Sequence, residues 1–201
     1  MYKVFFNHKP IYLTTALAIN SSETPLLHIK YTQQQSLIKA LKSKQTQAVY
    51  LYHKDEQKLW KHFVKQFPEI EAAGGLVKHT DGRFLMIYRN GKWDLPKGKK
   101  EKKEILIDAA QREVIEETAV KDLIVKKPLP ITYHIFSRNG RYRLKKTYWY
   151  LMATSYDGPL EPQYDEGIEQ AVWKSPEEIP SMLENAYENI KIHFEQEGVM
   201  T

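Results

Sequence analysis

The chain has 201 residues, 42% of them apolar, with four Trp and thirteen Tyr, which is enough to bury one substantial core and a smaller one and argues against an intrinsically disordered protein. It has no Cys, which excludes disulfides, thiolate metal centres and cysteine nucleophiles and leaves oxygen and imidazole as metal donors. A formal charge of +5 and a pI near 9.1 suit an anionic partner, while MYKVFFNHKP lacks a signal-peptide pattern and no stretch reaches the roughly 18 apolar residues of a membrane span, so a cytoplasmic protein with no membrane partner is expected.

Residues 1–70 predict a small α/β domain. Lys3–Phe6 and Ile11–Thr15 are rich in β-formers and flank the turn-like Asn7-His8-Lys9-Pro10. Leu37, Ile38 and Leu41 recur at helical spacing in Gln33–Ser43, as do Leu59, Trp60, Phe63 and Val64 in Glu56–Phe67, and Ala48–His53 alternates as a strand between them. No catalytic spacing occurs here, and His8, His28, His53 and His62 are scattered along the segment.

Residues 71–201 read as a second domain. Ala72-Ala73-Gly74-Gly75-Leu76-Val77, a turn at Asp81-Gly82, a strand at Phe84–Arg89 and a turn at Asn90-Gly91 suggest a meander. Further strands are expected in Leu123–Ser137, Arg143–Thr154 and Gln170–Trp173, and one helical stretch from Pro176 through Glu195, where Ile179, Met182, Leu183, Tyr187 and Ile190 keep helical intervals.

Between these strands lies Gly98-x5-Glu104-x7-Arg112-Glu113-Val114-x-Glu116-Glu117-x-Ala119-Val120. Ile105–Val120 holds strong helix formers and no proline, so the pattern reads as a glycine-containing loop entering a helix. At about 100° per residue, Glu113, Glu116 and Glu117 share one face, beside an apolar stripe of Ile107, Ala110 and Val114 that can dock the helix on a sheet. Three neighbouring carboxylates repel one another and call for a cation. Oxygen-only donors favour hard Mg²⁺, with Mn²⁺ as the alternative. Such an ion neutralises phosphate charge and acidifies a bound water, and a spare carboxylate can take that water's proton.

The spacing resembles the signature box of the Nudix hydrolases at every position but one, Ala119, where that family carries glycine. The resemblance implies an α/β/α sandwich around a mixed sheet, preceded here by the small α/β domain, and a metal-dependent hydrolase acting on a diphosphate linkage. It implies that Glu113, Glu116 and Glu117 hold metal or activate water, that Glu104 and Arg112 support them, and that Gly98 lets the loop turn beneath the site. A late acidic residue is expected as a further ligand; Glu166 and Glu169 are the candidates, with Glu169 preferred for its spacing to Trp173. Trp93-Asp94-Leu95-Pro96-Lys97-Gly98 is similar to the segment before the box in diadenosine and diphosphoinositol polyphosphate hydrolases, and its tryptophan could equally be a core residue.

Lys97, Lys99 and Arg143 are the expected phosphate contacts, within a wider basic set of Lys100, Lys102, Lys103, Arg141, Lys145 and Lys146. The expected substrate is a nucleoside polyphosphate or another anionic phosphorylated small molecule. RNA 5′ ends form the alternative substrate, and a non-catalytic nucleotide sensor the alternative class. Residues 1–70 could serve as a substrate lid, a binding module or the interface of a homodimer.

Overall fold

In the computed structural model, which describes residues 1–17 and 20–199, the chain forms two compact units: Met1–Ile70 with Tyr133–Lys145, and Glu71–Thr132 with Lys146–Thr201. Strands β9 (Ile124–Arg138) and β10 (Arg141–Thr154) contribute residues to both.

In the first unit, β1 (Tyr2–Phe6) pairs antiparallel with β2 (Lys9–Thr14) and parallel with the Tyr133–Ile135 part of β9. Strand β4 (Val49–Tyr52) lies parallel to β2 and to β3 (Leu26–His28), giving the order β9-β1-β2-β4-β3. Alternation sends Val4, Phe6, Ile11, Leu13, Val49 and Leu51 to one face. There they pack with Leu37, Ile38 and Leu41 of α1 (Gln34–Lys42) and with Leu59 and Phe63 of α2 (Glu56–Gln66). Asp55 starts α2 by accepting the Lys58 N–H at 2.9 Å, satisfying one of the helix's free N-terminal donors. Strand β3 gives no sequence signal, because three residues are too few to show a period. Folding also gathers three of the scattered histidines: the ring centroids of His28 and His53 are 5.5 Å apart, and those of His53 and His62 6.0 Å.

The second unit is an α/β/α sandwich. Its strand order is β11-β6-β5-β10-β9, with β7 added to β6 and β8 to β5; here β5 is Glu69–His79, β6 Phe84–Arg89, β7 Lys92–Asp94, β8 Lys97–Lys99 and β11 Ile168–Lys174. Leu76, Phe84, Met86 and Trp149 face one layer, formed by α4 (Ile179–Leu183) and α5 (Glu188–Gln196). Ala73, Val77, Leu85 and Met152 face the other, where α3 (Leu106–Thr118) lies. Helix α3 comes close because position 75 is glycine: a Cβ there would meet Met152 Sδ at 3.0 Å and Val114 Cγ2 at 3.1 Å.

Two local expectations change. The C-terminal stretch is two helices rather than one, because the backbone between them is taken by β7: Trp93 N–H donates to Asn185 O at 3.0 Å and Tyr187 N–H to Trp93 O at 3.3 Å. The buried stripe of α3 is Ala109, Ala110 and Val114, while Ile107 lies in the first turn and stays 40% exposed. Among the described residues, no helix is long and apolar enough to cross a membrane.

Candidate functional site

Strand β8 pairs with β5, aligning Gly98 with Ala73, and the chain then loops into α3. One side chain organises the carboxylates that follow. Arg112 donates from Nε to Glu104 Oε1 at 2.8 Å and from Nη2 to Glu104 Oε2 at 3.0 Å. Its Nη1 reaches Glu113 Oε1 and Glu116 Oε2, both at 2.8 Å, and Nη2 also donates to Lys99 O at 3.2 Å. One guanidinium thus holds three carboxylates, and its rigid fork suits that task. The hydrogen bonds from Arg112 hold the Glu104 carboxyl down at about 2, whereas burial pushes Glu113 upward.

The glycine before the loop makes room for this arrangement. A Cβ on Gly98 would lie 1.8 Å from Glu113 Oε2, inside the carboxylate. Glu117 turns the other way and is 1% exposed; its Oε2 accepts the Lys97 N–H at 2.8 Å, and its Oε1 lies 3.5 Å from Arg89 Nη1. Burial pushes the Glu117 carboxyl up to about 7.

Beside α3 opens a cavity of about 540 Å³, bordered by Arg112, Glu113, Glu116, Glu166 and the basic residues Lys99, Lys100 and Lys102. The late acidic residue that reaches it is Glu166, in a 3-10 turn at Tyr164–Glu166, with Oε2 3.5 Å from Arg89 Nη2. Glu169 is exposed and does not border the cavity. It lies at an irregularity of β11, whose register on β6 shifts between Ile168 and Gln170. Arg89 therefore spans Glu117 and Glu166, a link with no sequence signal beyond its place at the end of β6.

The expected phosphate contacts differ in setting. Lys99 borders the cavity. The Lys97 ammonium is buried and lies 2.6 Å from Asp94 Oδ2, so its charge is committed within the protein. Arg143 belongs to the other compact unit. Trp93 is partly buried and packs edge-on to Tyr88 at 4.9 Å.

The donors around the cavity are carboxylate oxygens, and the space at Gly98 keeps Glu113 available, so Glu113, Glu116 and Glu166 fit a hard divalent cation, while Glu117, buried against the Lys97 N–H and Arg89, does not border the cavity. A second cluster, His79, Asp81 and Asp157, has ligand atoms within 4.8 Å of one another. Arg83 already supplies a cation there, with Nη2 2.7 Å from both Asp81 Oδ2 and Asp157 Oδ1, and it holds Asp81 well below the usual carboxylate range. None of those residues borders the glutamate cavity.

Comparison with known proteins follows the same segment. The family model described as the NUDIX domain matches residues 68–194. An RNA pyrophosphohydrolase of Erythrobacter litoralis (strain HTCC2594) is 30% identical over 131 residues, 56% of this chain and 80% of that protein. Among solved structures, a Nudix hydrolase from M. smegmatis, RenU, superposes with a TM-score of 0.50 at 15% identity, covering 65% of this chain and 84% of its own, and so shares the fold. A MutT protein from Methanosarcina mazei Go1 gives 0.48 at 26% identity, covering 65% and 94%.

Proposed function

The chain belongs to the Nudix family of hydrolases, and on that premise we propose that it is a Mg²⁺-dependent enzyme cleaving the diphosphate linkage of a nucleoside polyphosphate or a comparable polyphosphorylated small molecule. The observation that carries this reading is the pairing, around one cavity, of an arginine-braced carboxylate cluster with three lysines. Carboxylates without lysines would hold a cation but repel phosphate. Lysines without carboxylates would bind phosphate but lack a metal site.

In this reading Glu113 and Glu116 at the cavity, with Glu117 as the family pattern implies, would hold Mg²⁺, or Mn²⁺ in its place. The bound ion supplies charge neutralisation to the phosphates and acidity to a water. Arg112 fixes the carboxylates before the ion arrives, so little reorganisation accompanies binding. Lys99, Lys100 and Lys102 take the phosphate oxygens as point charges. The Glu166 carboxylate receives the proton as water adds to phosphorus and the bridging P–O bond breaks, its electron pair leaving with the departing phosphate. Arg89, 3.5 Å from both Glu117 Oε1 and Glu166 Oε2, links these two carboxylates.

The test is release of phosphate or diphosphate from a panel of dinucleoside polyphosphates, nucleotide sugars, nucleoside triphosphates and diphosphoinositol phosphates, with and without Mg²⁺ or Mn²⁺. Turnover that requires the metal and is lost in Glu116→Gln supports the reading. A panel wholly unchanged with either metal, while nucleotides still bind by calorimetry, replaces it with the sensor. A second reading, hydrolysis at RNA 5′ ends, is favoured by the Erythrobacter relative, which is named an RNA pyrophosphohydrolase, and a 5′-triphosphorylated RNA in the panel distinguishes it.

A further inference from the structure

The whole-chain charge of +5 conceals an asymmetry. The unit made of Met1–Ile70 and Tyr133–Lys145 holds fourteen Lys and Arg against four Asp and Glu, a formal +10, whereas the catalytic unit holds sixteen against twenty-one, a formal −5. The basic pI therefore owes nothing to the hydrolase unit. Four acidic side chains can compensate at most four of the fourteen cations within the first unit, so at least ten remain to be balanced by something else. A lysine-rich surface that serves solubility alone needs no particular neighbours for its charges, and here some neighbours are specific.

Helices α1 and α2 both pack on the Ile11, Leu13, Val49 and Leu51 face of the sheet. The opposite face carries, by register, Lys3 beside Tyr12, Tyr12 beside Tyr50, Tyr50 beside Leu26, and Tyr52 beside His28. Tyr12, Tyr50 and Tyr52 are all partly exposed. The rings of Tyr12 and Tyr50 stack at 4.9 Å with 24° between their planes, and Tyr52 meets His28 edge-on at 5.8 Å. Beyond His28 stands Tyr31, 76% exposed, with ring centroids 5.0 Å apart. Cations accompany both ends of this row: Lys3 Nζ lies 6.0 Å from the Tyr12 ring and Lys30 Nζ 5.5 Å from the Tyr31 ring. Aromatic rings in sequence across a sheet, with ammonium groups alongside, match a strand of unpaired bases whose phosphates run beside them. A double helix hides its bases and could use the charge but not the rings.

We propose that the first compact unit is a single-stranded RNA-binding module, with Tyr12, Tyr50, Tyr52 and Tyr31 as base-stacking positions and Lys3 and Lys30 as phosphate contacts. The module binds RNA whatever the hydrolase unit cleaves, so it stands apart from the choice of substrate made above.

The experiment uses the full-length protein and a short fluorescent oligouridine, with binding followed by anisotropy as salt is raised from about 0.05 to 0.2 M. Tyr12→Thr combined with Tyr50→Thr, which keeps strand-forming residues in place, is expected to weaken binding at least tenfold with the salt slope unchanged. Lys3→Gln combined with Lys30→Gln is expected to reduce the log–log salt slope by about 1.4, or about 0.7 for each lost phosphate contact. Photo-crosslinking of the unaltered protein to thiouridine RNA should label peptides of β2, β4 and Tyr31, a readout that does not depend on any variant folding. Absence of binding at the lowest salt would overturn the proposal. So would equal affinity for heparin, double-stranded DNA or anionic phospholipid vesicles with no response to the tyrosine substitutions, which would show a polyelectrolyte surface only. Crosslinks confined to the α3 cavity would also overturn it, by assigning the RNA to the hydrolase site.

Discussion

The carboxylate of Glu113 occupies the space in which a side chain at position 98 would stand, with Oε2 1.8 Å from where a Cβ would be. The glycine opening the box and the first glutamate of its helix are therefore one steric unit. Gly98→Ala should expel Glu113 from its place between Arg112 and the cavity, and kcat/KM for the best substrate of the panel should fall about a hundredfold or more, as for lost metal support. The circular dichroism spectrum should be unchanged. A fall below about threefold would show that Glu113 is not needed where it stands.

Glu116→Gln and Glu117→Gln each keep the side-chain shape and remove a negative charge that the metal requires. Turnover should drop about a hundredfold or more in both. Because Glu117 is buried and Glu116 is about half exposed, the two should differ in stability. The Glu117 amide relieves a desolvated charge and should leave thermal stability equal or higher. Near-parent rates at saturating Mg²⁺ in both variants would remove these residues from the metal site.

Arg112→Lys should be a severe change despite its conserved charge. A single ammonium cannot repeat the fork that reaches Glu104, Glu113 and Glu116 together. The expected outcome is a weaker apparent affinity for Mg²⁺ with a smaller loss of rate at saturating metal, measured by metal titration of activity. An unchanged metal titration would confine Arg112 to a structural role.

Ala119 caps α3 in the left-handed region, with φ 57°. An alanine there costs about 1 kcal/mol that a glycine avoids. Ala119→Gly should raise the melting temperature by about 2–4 °C and leave kcat within a few-fold. A drop in melting temperature would show that the methyl group is itself packed.

His193 is fully buried, and burial alone lowers its pKa to about 4; neither ring nitrogen has a hydrogen-bond partner. Above about pH 6.5 the ring is neutral in both folded and unfolded chains and contributes no pH dependence. Below that the unfolded chain binds a proton that the native chain refuses, so stability falls as pH drops toward 4, by about 3 kcal/mol in full. Denaturant unfolding at pH 7 and pH 5 should show His193→Leu losing less stability than the parent. Parallel losses would assign the acid sensitivity to other groups.

Much of the candidate site's geometry was legible because its residues are local in sequence. Gly98, Glu104, Arg112, Glu113 and Glu116 lie on one loop and one helix, so spacing carries their geometry directly. Which late carboxylate borders the cavity was not legible, because Glu166 reaches it from a 3-10 turn closed by a left-handed Gly167 at φ 77°, a geometry that spacing to Trp173 does not express. Helical angles placed Glu117 with its neighbours, but only the fold reveals that its partner is the backbone N–H of Lys97, twenty positions away. Lys97 looked like a phosphate contact because nothing in the sequence announces that Asp94 turns inward with it. In the first unit the strands and helices followed from period, whereas the row of aromatic rings across three strands depended on register, which sequence does not state.

The loop between β8 and α3 is tied down over its first half, by Lys97 N–H to Glu117, Arg112 to the Lys99 carbonyl, Lys100 N–H to the Glu71 carbonyl and Glu101 N–H to Glu104. Lengthening such a tethered segment costs chain entropy that grows only logarithmically, about 0.6 kcal/mol for each doubling. Lys102 and Lys103, which follow those anchors, are therefore the positions at which the loop can change with least disturbance to Glu104 and the helix after it. Of the two, Lys102 borders the cavity. Changes confined to those two side chains would alter the charge that the cavity rim presents while leaving the carboxylates braced by Arg112 where they stand.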